Sequence, residues 1–141
     1  MEKSDFFIST DKKRLNIPLI HDFLCNHSYW AKGRSLERVK RSIENSICFG
    51  AYLNNEQIGF ARVLTDYTVF AWIMDVFILE QFRWQGYGKK LMKTIMEYPD
   101  LQDIRRWGLG TQDAHGLYSR FGFNSISNPE NFMQKINDNS L

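Results

Sequence analysis

The sequence predicts a single mixed α/β domain, and three observations support this prediction. Segments rich in β-branched and aromatic residues alternate with segments whose apolar residues recur every three or four positions, the patterns of strands and helices. Residues 69–79 are almost continuously apolar, which is typical of a strand buried on both faces. That strand runs into a loop with two glycines and then into another helical pattern. The predicted order is one strand, two helices, three strands, helix, strand, helix and a final strand.

Length and composition limit the classes of protein that need to be considered. A chain of 141 residues lies in the size range of one domain, so we expect one domain over residues 1–141. The hydrophobic content of 43% excludes the disordered and fibrous classes. The net charge of +2 is too small to indicate a nucleic-acid partner. No apolar stretch reaches signal-peptide or membrane-spanning length, so we expect no membrane partner and a cytoplasmic location.

The N-terminal third is predicted to contain a strand and two helices. Residues 6–10 are β-branched and aromatic and should form the strand. Apolar residues at helical spacing begin at Ile17 and predict the first helix. Ser35 is the expected N-cap of the second helix, with Glu37 in its first turn.

Three consecutive strands should follow in one sheet. Residues 47–53 and 57–64 are rich in strand formers, and the polar residues 54–56 between them suit a hairpin connection. The apolar strand 69–79 should pair beside them. A strand at residues 104–109 returns after the glycine loop and its helix.

Proline and glycine predict where the later elements end. The helix after the glycine loop must stop near Tyr98, because Pro99 disfavours helical geometry in the residue before it. A short helix at residues 114–121 should end at Gly122, since glycine closes helices in a left-handed conformation. The tail, residues 123–136, is expected to add one or two strands.

The loop between the apolar strand and the following helix is a candidate anion site. Gly86 and Gly88 let the backbone turn sharply, so that successive N–H groups can approach phosphate oxygens at the helix N-terminus. Arg83, Lys89 and Lys90 add positive charge beside it. A Walker A loop does not fit the spacing, and a dinucleotide fingerprint would need glycine in place of Leu91. An ordinary turn without a ligand remains an alternative for this segment taken alone.

The glycine loop also resembles the acyl-CoA-binding motif of the GNAT superfamily of N-acetyltransferases, in which Arg or Gln precedes Gly-x-Gly or Gly-x-Ala. The resembling segment is Arg83-Trp84-Gln85-Gly86-Tyr87-Gly88-Lys89-Lys90-Leu91. Residues 58–63, 75–78 and 117–123 resemble the family's third strand, fourth strand and closing tyrosine segment, in the right order. The resemblance implies a GNAT fold, with a mixed, mostly antiparallel central sheet flanked by helices and with splayed fourth and fifth strands.

The resemblance also implies acetyl-CoA as co-substrate. Main-chain groups of Phe77 and Ile78 would bond its pantetheine arm between the splayed strands. The pyrophosphate would be held by the loop residues Arg83, Trp84, Gln85, Gly86, Tyr87, Gly88 and Lys89. Where many relatives carry Asn before the last helix, Thr111 stands here, which puts a side-chain contact to pantetheine at that point in doubt.

By the same resemblance, Tyr118 is the catalytic acid that protonates the departing thiolate. His115 and Asp75 are candidates for the base that takes the proton of the amine, and water is the alternative. Direct attack of the amine in a ternary complex is expected. Cys25 and Cys48 lie outside the cofactor segments and are expected to be buried, reduced thiols, which argues against an acyl-cysteine intermediate. The three histidines have no metal-ligand spacing, so no metal is expected.

The resemblance also implies that the first two helices and their connection recognise the acceptor. Tyr29 and Trp30 would form a lid over the amine, or would pack and anchor the connection. Arg38, Lys40 and Arg41 are interpreted as a solvated helix face rather than a binding patch. The acceptor is a small-molecule or peptide amine whose identity the sequence does not specify. Oligomeric state is open, a homodimer included.

The sequence therefore predicts an acyl-CoA-dependent N-acyltransferase. Two functions from other classes are kept beside it. One is a non-catalytic acyl-CoA-binding or regulatory module that retained the cleft, and the other is a nucleotide-binding protein that uses the same glycine loop.

Overall fold

The computed structural model describes residues 5–137. Its five strands are β1 (Phe6–Ser9), β2 (Ile47–Leu53), β3 (Glu56–Thr65), β4 (Phe70–Ile78) and β5 (Arg106–Leu109). Its four α-helices are α1 (Ile17–Asp22), α2 (Leu36–Glu44), α3 (Tyr87–Glu97) and α4 (His115–Ser119). A π-helical turn, Phe23–His27, continues α1. Within residues 5–137, all the strands predicted up to residue 109 and all the predicted helices are present, with small shifts at their ends.

The strands form one open sheet in the order β1-β2-β3-β4-β5. Neighbours pair antiparallel except β4 and β5, which pair in parallel. The β4–β5 register runs only from Phe70, opposite Arg106, to Ile73, opposite Leu109. Because β4 continues to Ile78, its second half has no partner on the β5 side. The predicted mixed sheet with splayed fourth and fifth strands is confirmed.

Helices cover both faces of the sheet. The face that carries α1 and α2 buries Ile20, Phe23, Leu24, Val39 and Ile43 against Phe60 and Phe77. The opposite face, which carries α3 and α4, buries Leu91, Met92 and Ile95 with Phe49, Val63, Ile73 and Tyr118. Each large apolar side chain buried in this way contributes roughly 1.5–3 kcal/mol. Two apolar layers therefore hold the sheet between two pairs of helices.

Local sequence signals account for several boundaries. Ser35 Oγ accepts a hydrogen bond from the Arg38 N–H at 3.2 Å, which caps the N-terminus of α2 as predicted. Pro99 begins a 3-10 turn directly after α3, so α3 ends at Glu97. Asn54 and Asn55 join β2 to β3 with φ values of +51° and +69°. Two consecutive positive φ values are the geometry of the hairpin turn that matches strand twist.

The expected strands in the tail are wrong. Within the described part of residues 123–136 there is only a 3-10 turn, Pro129–Asn131. Phe123 packs against the core beside Tyr118, but the other apolar residues of the tail, Ile126, Phe132, Met133 and Ile136, are 48–99% exposed. Without a buried apolar face, no burial of surface offsets the conformational entropy lost on ordering a strand. Pro129 also lacks the N–H group that a strand residue donates to the neighbouring strand.

The turn between β2 and β3 supports a stability prediction. Asn55 tolerates its left-handed conformation better than alanine does, and glycine tolerates it best. Asn55→Gly should be at least as stable as the parent. Asn55→Ala should have a free energy of unfolding about 1 kcal/mol lower than that of the parent. Urea denaturation of the two variants measures this difference. Equal stability of the glycine and alanine variants would contradict the assigned turn.

Candidate functional site

A cleft of about 520 Å³ opens where β4 and β5 separate. Its walls come from the α1–α2 connection, from β4, from the loop after β5 and from α4. The lining residues used below are Tyr29, Trp30, Arg34, Asp75, Val76, Thr111, Asp113 and Tyr118. The volume lies in the range of small-molecule sites.

A β-bulge in β4 shapes the cleft. Phe60 pairs with Phe77 but Arg62 pairs with Met74, so Asp75 and Val76 together oppose a single residue of β3. Asp75 has a φ of +55°. Side chains an even number of residues apart normally share a face, yet Ile73 packs on the α3 face while Phe77 packs on the α1 face. The bulge therefore re-aims the side chains of the second half of β4.

Asp75 is the centre of a buried polar cluster and is only 5% exposed. Its Oδ1 accepts from Trp30 Nε1 at 2.8 Å, and its Oδ2 accepts from Arg34 Nη1 at 2.9 Å and Arg62 Nε at 2.6 Å. Arg62 Nη1 also donates to Ser46 Oγ at 3.1 Å. Because both carboxylate oxygens already accept hydrogen bonds, Asp75 lines the cleft as an anchor for the α1–α2 connection. This geometry favours a positioning role over the predicted role as base.

Tyr118 lies on α4 and faces the cleft with only 8% of its surface exposed. Burial, with smaller contributions from nearby Tyr29 and Asp113, raises the pKa of Tyr118 to about 12. The phenol therefore keeps its proton throughout the neutral range and can act as a donor. Its main-chain oxygen accepts from Phe121 N at 2.9 Å and Phe123 N at 3.3 Å, which fixes the end of α4.

The structure separates the other predicted base from the cleft. His115 is exposed, and the cleft lining does not include it. Asp113, which sequence reasoning did not select, does line the cleft. Within residues 5–137 its carboxylate makes no hydrogen bond or ion pair. The signal that could have identified Asp113 is its position in the loop between β5 and α4, five residues before Tyr118.

Tyr29 and Trp30, which were expected either to cover the acceptor amine or to anchor the connection, both line the cleft. The Tyr29 hydroxyl accepts a hydrogen bond from Gln112 N at 2.7 Å. Its ring packs edge-on against Trp30, with 5.1 Å between centroids. Tyr29 thus bridges the α1–α2 connection and the loop after β5 across the mouth of the cleft. Thr111 Oγ1 accepts from Ala114 N at 3.1 Å, so this side chain closes the turn that precedes the last helix.

The glycine loop leads into α3 with an unusual backbone. Trp84 and Gly86 have φ values of +67° and +86°. Gly86 is the N-cap of α3, and no side chain in the described chain caps that terminus. The first N–H groups of the helix are therefore available to an anion. Trp84 is fully exposed, and Arg83 Nε donates to the Ile78 carbonyl at 3.0 Å.

Main-chain direction in β4 decides which residues face the open side. Leu79 N donates to Ile58 O at 2.8 Å, so the main-chain N–H and C=O groups of Leu79 point toward β3. The direction of the main-chain N–H and C=O groups alternates along a strand, so those of Phe77 also point toward β3. Those of Val76 and Ile78 point toward the gap left by β5. Of the two residues predicted to contact pantetheine, Ile78 therefore directs its main chain toward the gap, as Val76 does, and Phe77 directs its main chain toward β3.

Among residues 5–137, the thiols and the potential metal ligands are placed as follows. Residues 5–137 contain no group of three or more His, Cys, Asp or Glu side chains arranged to hold a metal ion. Cys48 is buried, which raises the pKa of its thiol to about 11, and Cys25 is half-buried. Neither thiol lines the cleft. None of the helices in this part of the chain is long and apolar enough to cross a membrane.

The Asp75 cluster supports a prediction about stability. Asp75→Asn keeps a residue that tolerates positive φ but leaves two largely buried guanidinium groups without a counter-ion. We expect the free energy of unfolding to fall by about 3 kcal/mol in urea denaturation. Asp113→Asn is the matched control and should change it by less than about 0.5 kcal/mol. Similar stabilities for the two variants would contradict the anchoring role of Asp75.

Comparison with known proteins agrees with this architecture. The family model of the acetyltransferase (GNAT) domain matches residues 44–125. A crystal structure from Xanthomonas campestris pv. campestris, assigned to the GNAT family, superposes with a TM-score of 0.91 at 45% identity, covering 94% of this chain and 93% of that one. A GNAT-family acetyltransferase from Streptococcus pneumoniae TIGR4 has the same fold, with a TM-score of 0.70 at 21% identity over 96% of this chain and 99% of that one.

A sequence relative is also an acetyltransferase by name. An uncharacterized N-acetyltransferase, ycf52, from Gracilaria tenuistipitata var. liui is 34% identical over 119 residues. The match covers 79% of this chain and 64% of that relative's length. The sheet topology, the glycine loop and these matches all agree. The chain therefore belongs to the GNAT family of acetyltransferases.

Proposed function

We propose that the protein transfers an acetyl group from acetyl-CoA to an amine by direct attack in a ternary complex. The observation that carries this proposal is the position of Tyr118: a phenol that stays protonated at neutral pH faces a cleft between two separated strands. A proton donor held at that point suits the departure of a thiolate.

The residues present fit acetyl-CoA. The main-chain groups of Val76 and the N–H of Ile78 would bond the pantetheine amides as an added strand would, while the Ile78 carbonyl already accepts from Arg83 Nε. The main-chain N–H groups of residues 84–89 would hold the diphosphate at the N-terminus of α3. Gly86 suits this role because, within residues 5–137, no atom lies within 4 Å of the position that a Cβ would take. The loop surface is therefore open for a close approach of phosphate oxygens.

Acetyl-CoA supplies the thioester when it is bound. The amine nitrogen attacks the carbonyl carbon, the new C–N bond forms, and the C–S bond breaks with its electron pair on sulfur. Tyr118 donates its proton to that sulfur, which gives free coenzyme A, and its phenolate regains a proton from solvent. A positioned general acid of this kind contributes about 10²–10⁴-fold to the rate.

The proton lost by the amine needs an acceptor. Asp75 is already hydrogen-bonded through both oxygens, and His115 lies outside the cleft lining. Asp113 is a carboxylate that lines the cleft, and we propose that it takes the proton directly or through water. Asp113 would also attract the cationic form of the amine before attack.

Replacing the phenol tests the catalytic assignment. Tyr118→Phe should lower kcat by about tenfold or more while the affinity for coenzyme A stays within about twofold. An amine panel with acetyl-CoA, followed by release of free thiol and by calorimetric binding of coenzyme A, measures both quantities. Tyr67→Phe is the control, because Tyr67 lies in the exposed β3–β4 turn outside the cleft.

The same panel separates an enzyme from the rival classes. Unchanged turnover in Tyr118→Phe would remove Tyr118 from its role. Coenzyme A binding with no thiol release for any amine would favour the non-catalytic acyl-CoA-binding module. Binding of ATP or NAD in place of coenzyme A would favour the nucleotide-binding protein.

Replacing Gly86 tests the diphosphate grip. Gly86→Ala adds a methyl group to the open loop surface at a positive φ, so the affinity for coenzyme A should fall by about tenfold or more, with about 1 kcal/mol lost from stability. Gly122→Ala is a matched control, since Gly122 has a φ of +91° and an equally open Cβ position. The control should lose similar stability and keep its affinity. Equal affinities for the two variants would place the diphosphate elsewhere.

A further inference from the structure

A second cavity, of about 340 Å³, lies beside the cleft on the face that carries α1 and α2. We call it the arginine groove. Its lining is Arg34, Arg38, Arg41, Ser42, Asn45 and Arg62. The described lining therefore holds four guanidinium groups, two polar side chains and no carboxylate.

Helix periodicity brings most of this lining together. Four lining residues follow one another at intervals of three or four positions: Arg34, Arg38, Arg41 and Asn45. They therefore lie on one side of α2, with Arg34 just before the N-cap of the helix and Asn45 at its C-cap. Lys40 does not belong to that face and does not line the groove. The basic residues of α2 were predicted to form one solvated face. All three of these residues, Arg38, Lys40 and Arg41, are exposed, and two of them also line a cavity with arginines from two other segments.

The groove concentrates positive charge in a partly buried place. Arg34 and Arg62 share a single carboxylate oxygen of Asp75, and their side chains are only 14% and 9% exposed. Within residues 5–137 the Nη2 atoms of these two arginines donate no hydrogen bond. Partly buried cations without enough counter-charge are costly, and an anion in the groove would lower that cost. The unused donors supply the hydrogen bonds that such an anion needs.

The position of the groove relates it to the acceptor and not to the diphosphate. Arg34 lines both the arginine groove and the catalytic cleft, so the two cavities adjoin at this side chain. The N-terminus of α3, where the diphosphate is proposed to bind, belongs to the opposite face of the sheet. A ligand that occupies both the cleft and the groove therefore approaches from the α1–α2 side.

We propose that the natural acceptor is an amine that also carries an oxyanion, a phosphate or a carboxylate, and that the arginine groove binds this oxyanion while the amine enters the cleft. The proposal rests on the acetyltransferase function proposed above. Planar guanidinium groups bind both kinds of oxyanion through paired hydrogen bonds. The anchored anion would reduce the freedom of the amine and hold its nitrogen near the thioester.

Matched acceptors test the proposal. ω-Aminoalkyl phosphates and ω-amino carboxylates of increasing chain length are compared with neutral ω-amino alcohols of the same lengths. At the best length, kcat/KM should be about tenfold or more higher for an anionic acceptor than for its neutral counterpart. The better of the two anionic series identifies the oxyanion.

Substitution on α2 links that preference to the groove. Arg41→Gln should raise KM for the anionic acceptor and lower the anionic-to-neutral ratio of kcat/KM by about tenfold, whereas Lys40→Gln keeps the ratio. Inorganic phosphate gives a readout without turnover, because it should raise the Tm of the parent and of Lys40→Gln more than that of Arg41→Gln.

The outcomes separate this proposal from the one on which it rests. Equal use of neutral and anionic acceptors, or equal ratios in the two variants, would overturn the anionic-acceptor proposal and leave the acetyltransferase intact. Absence of thiol release with every acceptor, in a protein that binds coenzyme A, would overturn both.

Discussion

The bulge at Asp75 is the constraint on which the rest of the site depends. It turns this one carboxylate onto the face of α2, where it binds Arg62 of the neighbouring strand and Trp30 and Arg34 of the helix connection. Beyond the bulge, β4 no longer pairs with β5, so one side of its backbone is left open. The contacts to Trp30 and Arg34 hold the acceptor-side wall of the cleft against the sheet. Asp75, at the bulge, thus lies beside the opening for the co-substrate and anchors the wall that faces it.

The two faces of the sheet divide the work of the site. Tyr118 belongs to the apolar layer under α3 and α4, and its burial there keeps the phenol protonated. The arginines and the aromatic connection belong to the layer of α1 and α2. Because the sheet opens between them, a thioester held on the β4 backbone would meet a proton donor from one face and an amine from the other. The cationic arginine groove on the acceptor face would also favour acceptors that carry an oxyanion over neutral amines.

Local chemistry made much of the fold predictable from the sequence. Ser35, Pro99 and the Asn54-Asn55 pair act on their own backbone, so the element boundaries they specify were confirmed. The bulge was not predictable, because it depends on contacts between residues 13 to 45 positions apart. Arg62 lies in an apolar strand, and its partnership with the α2 arginines arises only in the tertiary structure. The prediction of strands in the tail was wrong for the opposite reason. Most of the strand-forming residues there have no helix or sheet packed over them.

The account rests on the open backbone of β4 as the binding surface for the pantetheine arm. Residue-resolved amide hydrogen exchange, measured by NMR with and without coenzyme A, tests this most directly. We expect coenzyme A to slow exchange at Val76, at Ile78 and through residues 84–89, while Phe77 is unaffected because its amide already bonds β3. Protection limited to other parts of the chain, with no change at Val76, Ile78 or the glycine loop, would contradict the account.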